Sequence, residues 1–456
     1  MRQCVANMRS RKFVATGARC CSAPLAESQA LLWYTRLTTH AAAPNVCVDS
    51  GALLAAQASL TALPDELLVS ILRRAWAETP WTADAAGEVR AAAGLACVCR
   101  RWRALLRAQP LPLALDFSGA RLSAAQRRWL LNPAQAGRVE AADFFVAWRS
   151  SNYVCKGSQA ALWEQPVCDD FLARHGSTLL HLSGVPLRLV APVSQGVRPA
   201  LDLSGLRLTR LGLDCWDIAA QVDHGTWAQC WWLWPECLPG ALEELELLDL
   251  HDQWLVSLAW APRSGAGLAE RLPRLHTLRV TCVQFDNPSI IGEVVPLLDG
   301  FTTPPHFEVF SEKNVSVSSD LFARVRSVRI VAGSCVSVWA HRQDAATIVD
   351  RLCTAGLQAA ELCAQDCICM DPSPGLLIHE VVRELINRHS DRYAVEVGFF
   401  YQLYNDNEEY CPTTALFELA WRRWPVHGTP GLQAARAAHE SARAWVANIE
   451  VPQRLV

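Results

Sequence analysis

The sequence predicts a mixed α/β protein: a small all-helical unit followed by a long, irregular α/β solenoid. Three observations predict it. Of 456 residues, 51% are hydrophobic and 19% charged, the composition of a chain that folds around a core. Between residues 60 and 107, apolar side chains recur at spacings of three and four, the helical period. From residue 111 onward, strand-like runs such as LALDF (113–117), LDLSGLRL (201–208) and YAVEVGFF (393–400) alternate with Ala- and Leu-rich stretches of helical character.

Residues 1–58 mix small residues without a sustained period and read as a basic, disordered tail and linker. Arg2, Arg9, Arg11, Lys12 and Arg19 all precede the first acid, Glu27. That pattern fits an organellar transit peptide or a plain basic tail. A net charge of −3 gives no argument for nucleic acid or an anionic membrane as partner. No window of 18 or more apolar residues lacks charge, so no transmembrane helix is expected. The 18 cysteines form no small-domain disulfide spacing, and Cys97, Cys282 and Cys335 sit in apolar runs like buried free thiols. A reducing compartment follows, cytoplasm or nucleus.

The helical unit opens with LPDELLVSILRRAW (63–76). Pro64 fits the first helical position, where a missing N–H costs nothing. Asp65 and Glu66 put negative charge at the positive end of the helix dipole. Leu67, Leu68, Ile71, Leu72 and Ala75 span an arc of about 140°, and Val69 widens it to about 200°, where packing on one core needs about 100°. The excess is either deep burial or a second surface for a partner. After a polar loop (78–88), AAAGLACVCRRWRALL (91–106) reads as one further helix, with Leu95, Val98, Cys99, Trp102, Leu105 and Leu106 on one side. Arg100, Arg101, Arg103 and Arg107 occupy the other, either a solvated face or a basic patch.

In region 111–430 the pattern L-x-x-L-x-L sets a register. It fits at Leu208/Leu211/Leu213, Leu242/Leu245/Leu247, Leu275/Leu278/Val280 and Val325/Val328/Ile330, with weaker copies from Ser177 and Leu357. In such units the alternating apolar positions point inward, and each unit stacks on its neighbours. The region resembles leucine-rich repeats with two departures. The usual Asn or Cys is replaced by Trp216, Leu250, Val283 and Gly333, and the strong copies start 34, 33 and 50 residues apart, beyond the family's 20–29. The resemblance therefore implies degenerate repeats with insertions; an ordinary α/β domain with scattered LxL strands is the other reading. The amphipathic stretch 432–449, within the terminal segment 431–456, reads as a helix that caps the array or packs on the body.

Together, LPDELLVSIL (63–72) and LACVCRRWRALL (95–106) resemble an F-box: Leu63-Pro64 opening a helix, then the Leu67/Leu68/Ile71/Leu72 cluster, then Val98-Cys99-x-x-Trp102. The resemblance covers about 45 residues, and the stretch from Arg73 to Ala93 is longer than the family's usual connection. A unit this small buries little core of its own. The resemblance implies that it completes that core against the Skp-type adaptor of a cullin–RING ubiquitin ligase, in the manner of a helix in a groove. The implied adaptor contacts are Leu63, Pro64, Leu67, Leu68, Ile71, Leu72, Val98 and Trp102. Repeats after an F-box imply a substrate receptor, a non-catalytic subunit that takes an unknown protein substrate and needs no cofactor. The alternative is a repeat scaffold that serves no ligase.

Signatures of chemistry are absent from the sequence: no G-x-x-x-x-G-K-[ST], no G-x-G-x-x-G and no G-x-S-x-G. HEVVR (379–383) has Arg383 where a zinc protease needs its second His. Cys363, Cys367 and Cys369 cluster in a spacing that is not a standard zinc site, so no metal and no catalytic residue is expected. Trp227, Trp231, Trp232 and Trp234 in WAQCWWLWPEC (227–237) are the candidates for substrate contact, since aromatic anchors dominate many interfaces. A bulky core layer is the competing reading.

Overall fold

The structure is a computed structural model that describes residues 63–78, 88–89, 92–93, 95–96, 99–116, 137–144, 167–215, 229–250, 256–261, 267–282, 289–290, 294–311, 315–332, 336–339, 344–364, 375–389, 393–400, 415–423 and 440. The N-terminal tail, Val98, Trp227, Cys367, Cys369 and all but one residue of the C-terminal segment lie outside the described residues. The chain divides into two compact units, Met1–Ala83 with Arg90–Leu111, and Asp84–Val89 with Pro112–Val456.

The first unit contains helices α1 (Asp65–Glu78) and α2 (Arg100–Ala108), which pack on each other. The carbonyl of Pro64 accepts the first helical bond, from Leu68 N–H at 3.0 Å, so α1 begins one residue later than the proline suggested. The single helix expected over 91–106 is interrupted. Cys99 is extended (φ −157°), and its thiol accepts from Trp102 N–H at 3.4 Å as the N-cap of α2. A capping side chain offers the backbone an alternative to continuing the helix, which periodicity alone does not reveal.

The second unit is built on a mixed sheet of eleven strands in the order β1-β2-β3-β4-β6-β8-β10-β12-β14-β17-β16. These are β1 (Leu111–Asp116), β2 (Gly137–Asp143), β3 (His181–Pro186), β4 (Arg210–Asp214), β6 (Glu244–Leu250), β8 (Thr277–Cys282), β10 (His306–Ser311), β12 (Ser327–Ala332), β14 (Ala359–Ala364), β16 (Tyr393–Phe400) and β17 (Ala415–Arg423). From β2 to β14 the neighbours are parallel; β17 and β16 close the order antiparallel.

The intervening strands lie in two smaller sheets. They are β5 (Gln229–Leu233), β7 (Val256–Trp260), β9 (Ser289–Ile290), β11 (Val315–Ser318), β13 (Val336–Trp339) and β15 (Gly375–Leu377). β5 pairs in parallel with β7, and β15-β13-β11-β9 form the other sheet. A short helical element follows each of these strands: 3-10 turns at Pro235–Cys237 and Val295–Gly300, and helices α5 (Leu268–Arg271), α6 (Ser319–Phe322), α7 (Ala345–Ala355) and α8 (Ile378–His389). From β4 onward the chain thus repeats strand, strand, helix through β14, β15 and α8. Earlier, α3 (Val167–His175) precedes β3 and α4 (Leu187–Val190) follows it.

Register explains the repeat pattern. Leu211, Leu245, Leu278, Phe307, Val328 and Ala360 align across six adjacent strands, with Leu213, Leu247, Val280, Val309, Ile330 and Leu362 in the next row. All twelve are buried. The aligned Phe307-x-Val309 is a further copy inside the 50-residue gap of the sequence pattern, hidden because Pro304 and Phe307 replace its leucines. The copy from Ser177 is corrected: Leu179 and Leu182 are its buried positions, and the pairing of β3 with β4 slips between Leu182 and Val185. Gly184 there has φ +80°, which a residue with Cβ disfavours. LDLSGLRL (201–208) is not a strand. Asp202 accepts from Ser204 N–H at 3.0 Å, and the segment turns before β4 begins at Arg210.

Because Phe307 is fully buried within its row, Phe307→Ala is expected to destabilise the second unit by about 3–5 kcal/mol, read as a lower urea midpoint.

Candidate functional site

In the first unit, α1 answers the question of its wide apolar arc by dividing it. Leu68, Val69, Leu72 and Trp76 are buried, Leu68 completely, whereas Leu67 is 47% exposed. Pro64 is also exposed, and Leu63 and Ile71 are half-buried. Leu63, Pro64, Leu67 and Ile71 follow one another at helical spacing and form a surface stripe beside the buried one. Trp102 of α2 is buried. Of the eight residues assigned to a partner surface, Leu68, Leu72 and Trp102 are therefore buried in this conformation, four lie on the stripe, and Val98 is not described.

Arg101 fixes this stripe. Its guanidinium donates to Asp65 Oδ1 at 2.8 Å from Nε and 2.5 Å from Nη2, and to the Leu63 carbonyl at 2.5 Å. The start of α2 is thereby tied to the turn that opens α1. The sequence places Arg101 on a solvated face or a basic patch; a contact across 36 positions carries no local signal. Arg103, by contrast, bonds locally to the Ala96 carbonyl at 3.0 Å.

In the second unit, the face of the large sheet opposite the leucine rows carries a charged row. Glu246, Arg279, Glu308, Arg329 and Glu361 sit at one register on five adjacent strands, alternating in sign. Arg279 Nε donates to Glu308 Oε2 at 2.6 Å, its Nη1 lies 3.1 Å from Glu244 Oε2, and Arg210 pairs with Glu246. Arg329 Nε lies 3.2 Å from Glu361 Oε1. Glu246, Arg279 and Glu308 are less than 10% exposed. Burial alone pulls the Arg279 guanidinium down, but Glu246, Glu308 and Glu244 outweigh it and hold its pKa above the ordinary value. One position earlier in the alternation, Arg210, Glu244, Thr277, His306 and Ser327 align, with His306 Nδ1 2.8 Å from Ser327 Oγ. His181 extends that row next to Arg210.

The tryptophan segment divides as well. Trp231 on β5 is buried, while Trp232 and Trp234 are half-buried. The backbone N–H of Trp232 donates to the Pro192 carbonyl at 3.0 Å, and the indole N–H groups of Trp231 and Trp234 are buried without an acceptor among the described residues. Trp231 belongs to the core layer; among the described tryptophans of the segment, Trp232 and Trp234 present surface. His379 and Arg383 lie on α8, and Cys363 on β14 is buried. Among the described residues no group of three or more His, Cys, Asp or Glu could hold a metal ion, and no helix is long and apolar enough to cross a membrane.

No protein-family model matches the chain, and the searches of curated proteins and of solved structures return no significant match.

Two stability outcomes test this geometry. Leu68→Ala is expected to cost about 2–5 kcal/mol and Leu67→Ala less than about 0.5 kcal/mol, compared by chemical denaturation. His181 is the pH-sensitive group of the charged face: burial, then Arg210, lowers its pKa below 6.5, against the pull of Glu244, Glu140 and Glu243. In the window below 6.5 the unfolded chain holds the proton that the folded chain resists, so stability falls as pH falls. His181→Gln is expected to flatten the fall in Tm between about pH 7 and pH 5, the range spanning the ordinary imidazole pKa.

Proposed function

We propose that this protein is the substrate receptor of a Skp–cullin–F-box type ubiquitin ligase. The observation that carries the reading is the surface stripe of exposed Pro64 and Leu67 with half-buried Leu63 and Ile71, along a helix whose other apolar face is already buried. The first unit has used Leu68, Leu72 and Trp76 internally and still displays contiguous apolar surface, held in place by Arg101. That fits a helix laid into the groove of an adaptor. The sequence resemblance to an F-box supplies the identity of that adaptor, and through it a cullin.

The second unit then reads as an irregular solenoid similar to leucine-rich repeats. Its support is the strand, strand, helix succession and the two aligned rows of buried Leu, Val and Phe. Where such repeats usually carry a helix or 3-10 turn on the outer side, this chain adds a second strand before it, which lengthens the repeat beyond 29 residues. The unit holds the substrate, with Trp232 and Trp234 as surface aromatic anchors. No chemistry is required of the chain itself. The receptor acts by proximity, raising the effective concentration of a substrate amine beside the thioester of the conjugating enzyme.

Purified full-length chain is expected to retain a Skp-type adaptor in a pull-down. Pro64→Ala/Leu67→Asp should abolish retention while the circular dichroism spectrum stays that of wild type, because both residues are exposed. No retention by well-folded wild type would leave a repeat scaffold that serves no ligase.

A further inference from the structure

The parallel strands of the large sheet all start on one rim, and the turns that lead into them differ in charge from the balanced face above. Arg207 stands in the turn before β4, Arg274 before β8 and Arg326 before β12, each exposed and each without an ion pair. In the same turns Arg324 is neutralised by Asp299, and Asp202 by Arg198. Glu243, before β6, and Glu236, in the 3-10 turn that precedes it, are acids of these turns with no ion pair among the described residues. Glu270 and Arg271, adjacent on α5, are opposite in sign. At the centre of the rim two guanidiniums, Arg274 and Arg326, therefore stand against one carboxylate, Glu243.

A cavity of about 400 Å³ opens at the centre of this rim. Arg274, Arg326, His276 and Glu243 supply its polar wall, with Leu275 and Pro304 as its apolar wall. Its shape is fixed by backbone bonds between successive turns: His276 N–H to the Glu243 carbonyl at 3.1 Å, His306 N–H to the His276 carbonyl at 2.8 Å, and Arg326 N–H to the Pro305 carbonyl at 2.9 Å.

We propose that this basic rim, centred on the cavity between Arg274 and Arg326, docks an acidic peptide segment of a partner protein. Guanidinium and carboxylate form charge-assisted, often bidentate pairs. The spacing specifies the segment. Neighbouring strands lie about 4.8 Å apart, and β4, β8 and β12 are alternate strands, so the three arginines repeat at about 10 Å. A peptide in the polyproline II conformation rises about 3.1 Å per residue with three residues per turn, which brings every third side chain to the same face and to an arginine. Glu243 lies between Arg207 and Arg274 and repels a continuous polyanion, which favours a peptide with spaced acids over a nucleic acid. The pocket takes one or two side chains of that peptide against Leu275 and Pro304.

The inference draws on the receptor reading only for its purpose. Binding is measured on the purified full chain without adaptor, so each can fail alone. The probe is a fluorescein-labelled peptide of Gln with Glu at every third position, followed by anisotropy at low salt. It is expected to bind more tightly than an all-Gln peptide and than one with the same glutamates in a contiguous block. Arg274→Gln/Arg326→Gln should weaken it by about tenfold or more. Arg100→Gln/Arg107→Gln, the same change in charge on α2, should leave it unchanged. Glu243→Gln should tighten it, which keeps the test decisive if the arginine variants lose their fold. Equal loss in both arginine pairs, no preference for spaced glutamates, or tighter binding of an oligo(dT) or of phosphatidylserine vesicles would overturn the proposal.

Discussion

The second unit depends on parallel hydrogen-bonded register between strands that are distant in sequence. Once Leu211, Leu245, Leu278 and Phe307 pair at one level, every other residue on those strands is assigned a face, because side chains alternate with period two. A slip of one residue on any strand would expose its apolar row and bury its charged one. The deep burial of the leucine rows makes that slip expensive, and the register holds across six strands.

The charged face is a consequence of the same constraint. Strands about 4.8 Å apart bring side chains at one level into contact, so a row of like charge would be unstable. The chain alternates sign instead, from Glu246 through Arg279, Glu308 and Arg329 to Glu361. Arg279 shows why alternation is required. It is less than 10% exposed, and a buried guanidinium without carboxylates on both sides would be strongly destabilising. Such a network adds less to net stability than apolar residues of equal size would, since desolvation offsets the attraction. What it does contribute is discrimination: a strand slipped by two residues would take Arg279 out of register with the carboxylates that neutralise it.

How far the sequence announces these features depends on whether their cause is local. Strands with Leu, Val or Ile at both inward positions were legible from the L-x-x-L-x-L pattern, as with β4, β6, β8 and β12. β10 was not, because Phe307 and Pro304 fill the same places with different residues. The slip at Gly184 shifted one apolar position and broke the pattern of β3. QCWWL and VSLAW are too short and too continuous in apolar character to be told from helix or core by period. The interruption at Cys99 depends on a single capping thiol. Least legible of all were the ion pairs, since Arg279 meets residues 29 and 35 positions away. The stripe on α1 was half legible: the arc was too wide for one core, but nothing local said which half would be covered.

That division within α1 is the step from packing to function. Residues 68, 72 and 76 recur every four positions and are buried, while 67 and 71 each precede a buried residue by one position, about 100° round the helix. A helix serves two surfaces only if its rotation is fixed, because a modest roll would submerge one face and strip the other. Leu68 and Leu72 hold the rotation from the buried side. Arg101 holds it from the solvent side, bonding to both the side chain of Asp65 and the backbone of Leu63 at the first turn. An isolated exposed ion pair adds little stability, but one that also grips a backbone carbonyl sets orientation. The exposed leucine is therefore a displayed feature of an anchored helix rather than a defect in its packing.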